Sequence, residues 1–558
     1  MRFTTILLTI SVVAGLAIPD QANADFVFGE PLNLGPVINT AINESGPWIS
    51  PDDIGMTFST CVAWTGPYDS WLAMRPTKED PWTAPVGLGR SLESYLDSVK
   101  AIPSINAALG LELYFSDNEM RPGGYGSSDL WVTTREAIDA NWGPAVNLGP
   151  TVNTAAVEMW AILSPDGLEL YFSGYSCELA RPGGQGCADL WVTRRATKND
   201  PWGAPENLGP KVNSASDDAR PYLSADGLML FFDSQRSGGY GQGDLYMTRR
   251  ATFSDPWGAP VNLGPVVNSS AFEECASLSA DGSTLFFDSG RGGGYGGHDI
   301  WQVPIMAIVD FTGDGKIDGK DILTLTEHWG QDEPLCDIGP SAWGNGTVDV
   351  NDLIVLAEYI GKEVVDPTLI AHWALDETEG MTAADSAGEH DATVMGNAAW
   401  QSDGGKVGGA LACDGVDDFI PTKLVLNPAA GLFSVIAWVK GGAPGQVVLS
   451  QQGGADWLLA NPTDGSLMTN LMSPSRFATP GVSDVVITDG RWHRIGIVWD
   501  GANRILFVDD EEVARDAQPK LADCPGMLVI GGGKSLSSAT FWSGLIDDVR
   551  IYSRAVKP

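Results

Sequence analysis

The sequence is short of positive charge: Lys and Arg number 33 against 71 Asp and Glu, a formal net charge of −38. That balance excludes a nucleic-acid partner, because polyphosphate demands a basic surface. Histidine is scarcer still. The five, at positions 298, 328, 372, 390 and 493, stand singly, and neither a His-rich metal site nor a catalytic triad can be assembled from their spacing. Seven cysteines in 558 residues are too few for a disulfide scaffold. Cys177 and Cys187, ten residues apart, make the best candidate pair, and Cys413 with Cys524 a weaker one. Beyond the first two dozen residues no apolar run approaches the roughly 20 residues that span a bilayer. Also missing is a Glu-x-Asp-x-x-Glu strand, which would set carboxylates on one face for glycoside hydrolysis.

What is present begins with Met1-Arg2, an apolar run from Phe3 to Ile18, and the small-residue site Ala22-Asn23-Ala24. This reads as a signal peptide over residues 1–24, so an exported, secreted or cell-surface chain without membrane insertion is expected. The 67 glycines, the 20 tryptophans and many short apolar runs point to a mainly β protein of roughly three domains.

The first of these is a repeat. Asp69-Ser70-Trp71, Asp129-Leu130-Trp131, Asp189-Leu190-Trp191, Asp244-Leu245-Tyr246 and Asp299-Ile300-Trp301 follow one another at spacings of 60, 60, 55 and 55. Ahead of them lie aromatic strands such as Leu170 to Ser173. Four units add a glycine loop opened by Arg121, Arg181, Arg236 or Arg291, and turns such as Ser164-Pro165-Asp166-Gly167 precede the strands. Asp-Gly between apolar runs is a strong hairpin signal. A run Pro-x-Asn-Leu-Gly, as at Pro205 to Gly209, supplies a fourth short strand, and four strands per unit define a propeller blade. The last unit lacks that run while Pro31 to Gly35 is a spare copy, so residues 31–35 are expected to close the ring. A five-bladed β-propeller over residues 25–303 is the expectation.

Nine residues past the Leu-Gly glycine an acid opens the innermost strand: Glu44, Glu158, Asp218 and Glu273. Such a ring could bind a cation or sugar hydroxyls, or supply the acid and base of a glycosidase or lyase in the channel. A residue recurring once per blade is more economically read as structural, with the recurrent arginines as its partners. No catalytic residue is assigned.

A second pattern runs from Asp310 to Asp321. Oxygen donors fall at loop positions 1, 3, 5, 9 and 12 with glycine at 6, which is EF-hand-like calcium spacing. Asp310, Thr312, Asp314, Lys316 by its carbonyl, Asp318 and Asp321 are the expected ligands, followed by a short helix from Ile322. A second loop, with Asp337, Asn345, Thr347, Asp349 and Asp352, precedes a helix from Leu353. It departs from the pattern by taking 16 positions instead of 12. From Leu369 onward the chain returns to strand-length apolar runs between Asp/Gly turns.

Three resemblances attach to these residues. The repeat resembles the WD-repeat-like propeller units of exported bacterial proteins, specific in units three to five and degenerate where Asp52-Asp53 and Ala107-Ala108 replace Asp-Gly. Residues 304–365, with Asp at position 12 of both loops, resemble a dockerin, which implies calcium as cofactor and a cohesin-like or other protein partner. Residues 366–558 resemble a laminin-G/concanavalin-like jelly roll, carried by His372-Trp373-Ala374-Leu375-Asp376, Asp414-Gly415-Val416-Asp417-Asp418-Phe419, Trp492-His493 and Gly544 to Tyr552. Such domains bind glycans or proteins and hold calcium near the first strands and the closing acid, which implies Asp385 and Asp548. Together these imply a secreted, non-catalytic assembly protein that binds polysaccharide or a glycoconjugate. The alternatives are a channel hydrolase or lyase and a purely structural surface protein.

Overall fold

A computed structural model of the chain describes residues 26–62, 69–87, 104–105, 112–117, 122–136, 143–175, 181, 183–331, 333, 335–362, 366, 368–388, 390–424, 426–474, 479–518, 520–524 and 526–556. The expected signal peptide, Arg121, Ala107-Ala108, Cys177 and Ser98, which stands in unit two where the other units have the acid of the innermost strand, lie outside the described residues. The fold is mainly β. It divides into two compact units, the first built from residues 32–280 and 286–302, the second from residues 23–31, 281–285 and 303–558. Among the described residues no helix is long and apolar enough to cross a membrane.

Antiparallel sheets follow one another, one per repeat, four-stranded in the first four repeats and five-stranded in the last. Unit three is representative: Val157–Leu163, Glu169–Tyr175, Ala188–Arg194 and Glu206–Asn207, paired in sequence order. In the last sheet Glu273–Leu278, Thr284–Ser289 and Asp299–Ala307 are joined by Leu32–Asn33, with Leu32 opposite Gln302 and Asn33 opposite Trp301. The spare Pro-x-Asn-Leu-Gly copy does pair into the final sheet.

The repeated residues are the ones that hold each unit together. Asp189 of Asp-Leu-Trp accepts from the Gln185 and Gly186 N–H groups and so folds the glycine loop. Asp129, Asp244 and Asp299 do the same, and the Asn of the short fourth strand donates to Asp129, Asp244 and Asp299 from Asn147, Asn262 and Asn33. A second asparagine, Asn213, is 3% exposed and bonds both the N–H and C=O of Leu190. In the Asp-Gly turns Ser164 Oγ donates to Asp166 and its carbonyl receives the Gly167 N–H, with Gly167 at φ 75°. In unit one Asp53 takes the glycine's place at φ 58°.

The second unit carries two helices, α1 (Gly319–Glu327) and α2 (Val350–Tyr359), two large sheets and a small two-stranded one. Each helix opens with a reciprocal capping box, Asp318 with Asp321 and Asp349 with Asp352. Phe311, Ile317, Leu325, Ile338, Val348 and Leu356 form their shared core. The larger sheet sets Phe433–Gly441 between Trp492–Trp499 and Ser543–Tyr552, and the smaller one centres on Val447–Gln451 and Asp456–Ala460. Trp373, Phe433, Trp457, Trp499 and Trp542 fill the space between them. Trp457 and Trp542 are fully buried core residues and offer no ring to a sugar, whereas Trp400 is half-buried.

Candidate functional site: two acidic loops and the acids of the repeat

The first loop is built around two buried carboxylates. Asp310 is 1% exposed and accepts from the N–H groups of Gly313 and Gly315, both at 2.8 Å. Asp321, fully buried, accepts from Phe311, Thr312 and Asp318 N–H groups at 3.0, 3.2 and 2.9 Å. Thr312 Oγ1 lies 3.4 Å from an oxygen of each. Burial pushes the Asp310 carboxyl up to about 6 against the pull of the Gly315 N–H, and Asp321 adds like charge. Burial raises Asp321 too.

The second loop repeats this cage. Asp337 accepts from Asn345 and Gly346 N–H groups, and Asp352 from those of Ile338, Gly339 and Asp349. Matching the donors places Asp337, Ile338 and Gly339 on Asp310, Phe311 and Thr312, and Gly344 to Asp352 on Gly313 to Asp321. The four additional residues are therefore Pro340 to Trp343, inserted after position 3. The 16-position spacing hides a loop of the ordinary kind whose third position is glycine, with no side-chain donor there.

The structure brings Asp310, Thr312 and Asp321 together, and Asp337 and Asp352 likewise hold equivalent places. Asp314 and Asp318 are spent differently: Asp314 accepts from the Lys316 N–H and lies 3.7 Å from Lys320 Nζ, while Asp318 is exposed and caps α1. Asn345 accepts from Thr347 N–H and Asp349 caps α2. An all-oxygen donor set around two adjacent buried carboxylates fits a hard divalent cation. Asp310, Thr312, Asp321 and the Lys316 carbonyl would hold it in the first loop. The first loop also rests on the jelly roll: Tyr552 donates to the Gly313 carbonyl at 2.7 Å and Arg554 to the Asp310 carbonyl at 2.5 Å, with Arg554 paired to Asp366.

In the jelly roll, Asp385 and Asp548 both lie against His372, the first at its backbone N–H and the second at its ring. Asp385 accepts from the His372 N–H and from His390 Nδ1, both at 2.8 Å. Asp548 lies 2.8 Å from His372 Nε2 and pairs with Arg550 at 2.9 Å. Burial works against ionisation at both, yet these donors hold both carboxyls below the ordinary range. Among the described residues, the jelly-roll acids close enough to share one ion are Asp414, Asp417 and Asp418 instead. In the hairpin turn, Asp509 and Asp510 are paired with His493 and Arg494.

The ring acids of the repeat are all fully buried. Glu44 accepts from the N–H and hydroxyl of Thr40, Glu158 from those of Thr154, and Glu273 from those of Ser269. Asp218 accepts from Ser214 N–H. Arg181, Arg236 and Arg291 pair with Glu158, Asp218 and Glu273, and each also donates to a valine carbonyl, Val152, Val212 or Val267. Each acid is thus committed to the turn four residues before it, and Glu158, Asp218 and Glu273 also to an arginine of their own blade loop. Cys187 is disulfide-bonded. Cys413 and Cys524 are both free, each buried among its own neighbours, so the weaker expected pair does not form.

No curated protein matches the chain. Residues 414–558 match the family model Laminin_G_3, the concanavalin A-like lectin/glucanases superfamily. Among solved structures the chain is similar to the sialidase of Trypanosoma rangeli in complex with the inhibitor DANA, at TM-score 0.42 and 12% identity over 93% of each chain. It is also similar to domain 4 of AbnA, a GH43 extracellular arabinanase from Geobacillus stearothermophilus in complex with arabinotriose. There the TM-score is 0.27 and the identity 21%, over 34% of this chain and 94% of that one.

Proposed function

We propose that this chain is a secreted, non-catalytic assembly protein that binds polysaccharide or a glycoconjugate through its jelly roll and docks through a calcium-ordered pair of loops. The observation that carries the reading is the duplicated cage around Asp310/Asp321 and Asp337/Asp352, set beside a lectin/glucanase-type domain at residues 414–558. Calcium neutralises the buried carboxylates of each loop and fixes the entry angle of the helix that follows. Ordered in this way, α1 and α2 present Leu323, Val350 and Ile354, exposed at 60%, 55% and 56%, as an apolar face for a cohesin-like or other protein partner. The ring acids argue against catalysis in the propeller, since every one is buried and hydrogen-bonded within its own blade.

The test is calcium titration of the full chain by calorimetry, together with retention on immobilised plant and algal polysaccharides. Two calcium equivalents are expected, one lost in Asp321→Ala and the other in Asp352→Ala, with retention unaffected by either change. Reducing-end release by the wild type that disappears in Glu158→Gln or Asp218→Asn would overturn the non-catalytic reading.

A further inference from the structure

The repeats agree at the positions that hold them together and differ at a few others, and the differences meet in one place. The residue after the aromatic strand pair is Ser59, Ser116 and Ser173 in the first three units but Asp233 and Asp288 in the last two. Following the ring acid stand Ser45, Met159, Ala219 and then Glu274. Ahead of the Asp-Leu-Trp acid stand Tyr68, Ser128, Ala188, Gly243 and then His298. Two residues past the ring acid, the chain enters the left-handed region at Gly46, Trp160, Arg220 and Cys275, with φ of 65°, 53°, 53° and 56°. Non-glycine residues held there are strained, and the strain aims a different side chain in each unit.

These exceptions form one cluster. Arg220 Nη1 lies 2.8 Å from Asp233 and 3.1 Å from Glu274, and its guanidinium stacks over Trp160 at 4.5 Å. Asp288 is fully buried, takes the Gly46 N–H at 3.0 Å and lies 3.2 Å from His298 Nδ1. Glu274, Asp288 and His298 offer ligand atoms that all lie within 4.8 Å of one another. Independently, Asp233 is 6% exposed and its Oδ1 has no hydrogen-bond partner. A buried carboxylate oxygen left unmatched is costly and marks a missing cation or donor. Three carboxylates here face one guanidinium and one imidazole, so acidic groups outnumber basic ones in a setting where unpaired charge is strongly unfavourable.

We propose that Glu274, Asp288 and His298 form a divalent-metal site of the repeat unit, with Asp233 and Arg220 as its outer partners. An imidazole among carboxylate oxygens favours a first-row transition ion of the zinc class over calcium. Three protein ligands are the complement of an open site, which keeps a position for water or a substrate oxygen, and not of a closed structural one. The side chains of Glu274 and His298, 14% and 12% exposed, leave the ion a path from solvent. The site is distinct in chemistry from the all-oxygen loops and does not depend on the reading given to them.

Equilibrium dialysis of the full chain against Zn2+, with Ca2+ saturating, tests this. One equivalent of Zn2+ is expected in the wild type. Affinity should fall at least ~10-fold in Glu274→Gln and in His298→Gln, and stay unchanged in the Asp310→Ala, Asp337→Ala double variant. Asp288 is left intact because its burial makes it a folding risk. Circular dichroism of both variants checks the fold, and Co2+ loading of the wild type should give a visible absorption band that His298→Gln lacks. No Zn2+ uptake beyond the calcium loops, or uptake equal in the wild type and both folded variants, would overturn the site.

Discussion

At the scale of single residues, the glycine loops of the repeat show why glycine recurs. A Cβ placed on Gly186 or Gly241 would lie 2.2 Å from the carbonyl oxygen of Ser216 or Ala271, and one on Gly296 would lie 1.9 Å from that of Ile42. These carbonyls belong to the next repeat, so the loop of one blade touches the backbone of its neighbour and has no room for a methyl group. Gly241→Ala is expected to destabilise the first unit by about 1–3 kcal/mol, measured by denaturant unfolding. Gly292→Ala, whose Cβ would meet nothing within 4 Å, is expected to stay within about 0.5 kcal/mol of the wild type. The ring acids make a second prediction. Burial raises the Glu44 carboxyl above its ordinary value of 4.5, outweighing the Thr40 hydrogen bonds. The folded state therefore holds this proton more tightly than the unfolded state, and the group's contribution is largest in acid and is lost as pH rises through the folded value. Glu44→Gln should gain stability relative to the wild type on going from acid toward neutrality, read from unfolding midpoints across that range. The recurrence of these acids was legible from spacing alone. Their partners Thr40, Thr154, Ser214 and Ser269 recur as well, each four residues earlier and directly after an asparagine; what spacing alone could not give is that they fold back to bond the acid.

At the scale of elements, the two acidic loops show how a count can mislead. Asp337 and Asp352 are 15 residues apart where Asp310 and Asp321 are 11, yet the same backbone donors reach the same carboxylates. The cage is defined at its two ends, and Pro340 to Trp343 are accommodated between them. The second loop has Gly339 where the first has Thr312, one donor fewer, so its calcium is expected to bind at least ~10-fold more weakly. Stepwise titration of the wild type beside Asp352→Ala checks this, the variant losing the weaker step. The helices were readable because Asp318 and Asp349 are capping residues followed by apolar spacing. What sequence reasoning could not reach is the clamp of Tyr552 and Arg554 on the first loop, made across 239 and 244 residues. Naming Asp385 and Asp548 from sequence did not foresee His372, whose backbone N–H reaches one acid and whose ring reaches the other, since such a histidine looks in sequence like any lone one.

At the scale of the whole molecule, the two compact units cut across the three expected segments, because the loop and helix pair shares the second unit with the jelly roll. Calcium binding should therefore stabilise the jelly roll as well, and a chelator is expected to lower the melting temperature of the second unit as one transition, seen by calorimetry with and without it. The first unit depends instead on its closing strand. Asn33 donates to Asp299 at 2.7 Å across 266 residues, and removal of residues 31–35 should broaden or split its unfolding transition. That same pairing has a kinetic consequence. The strand that completes the last sheet precedes all the repeats in the chain, and its partner strand belongs to the last of them. No intermediate that lacks residue 299 can close the ring, and bringing such distant segments together makes folding slow. Until then an unpaired strand edge stays open to the wrong partner, so the yield of folded protein should be governed by how long the last repeat waits for Leu32–Asn33.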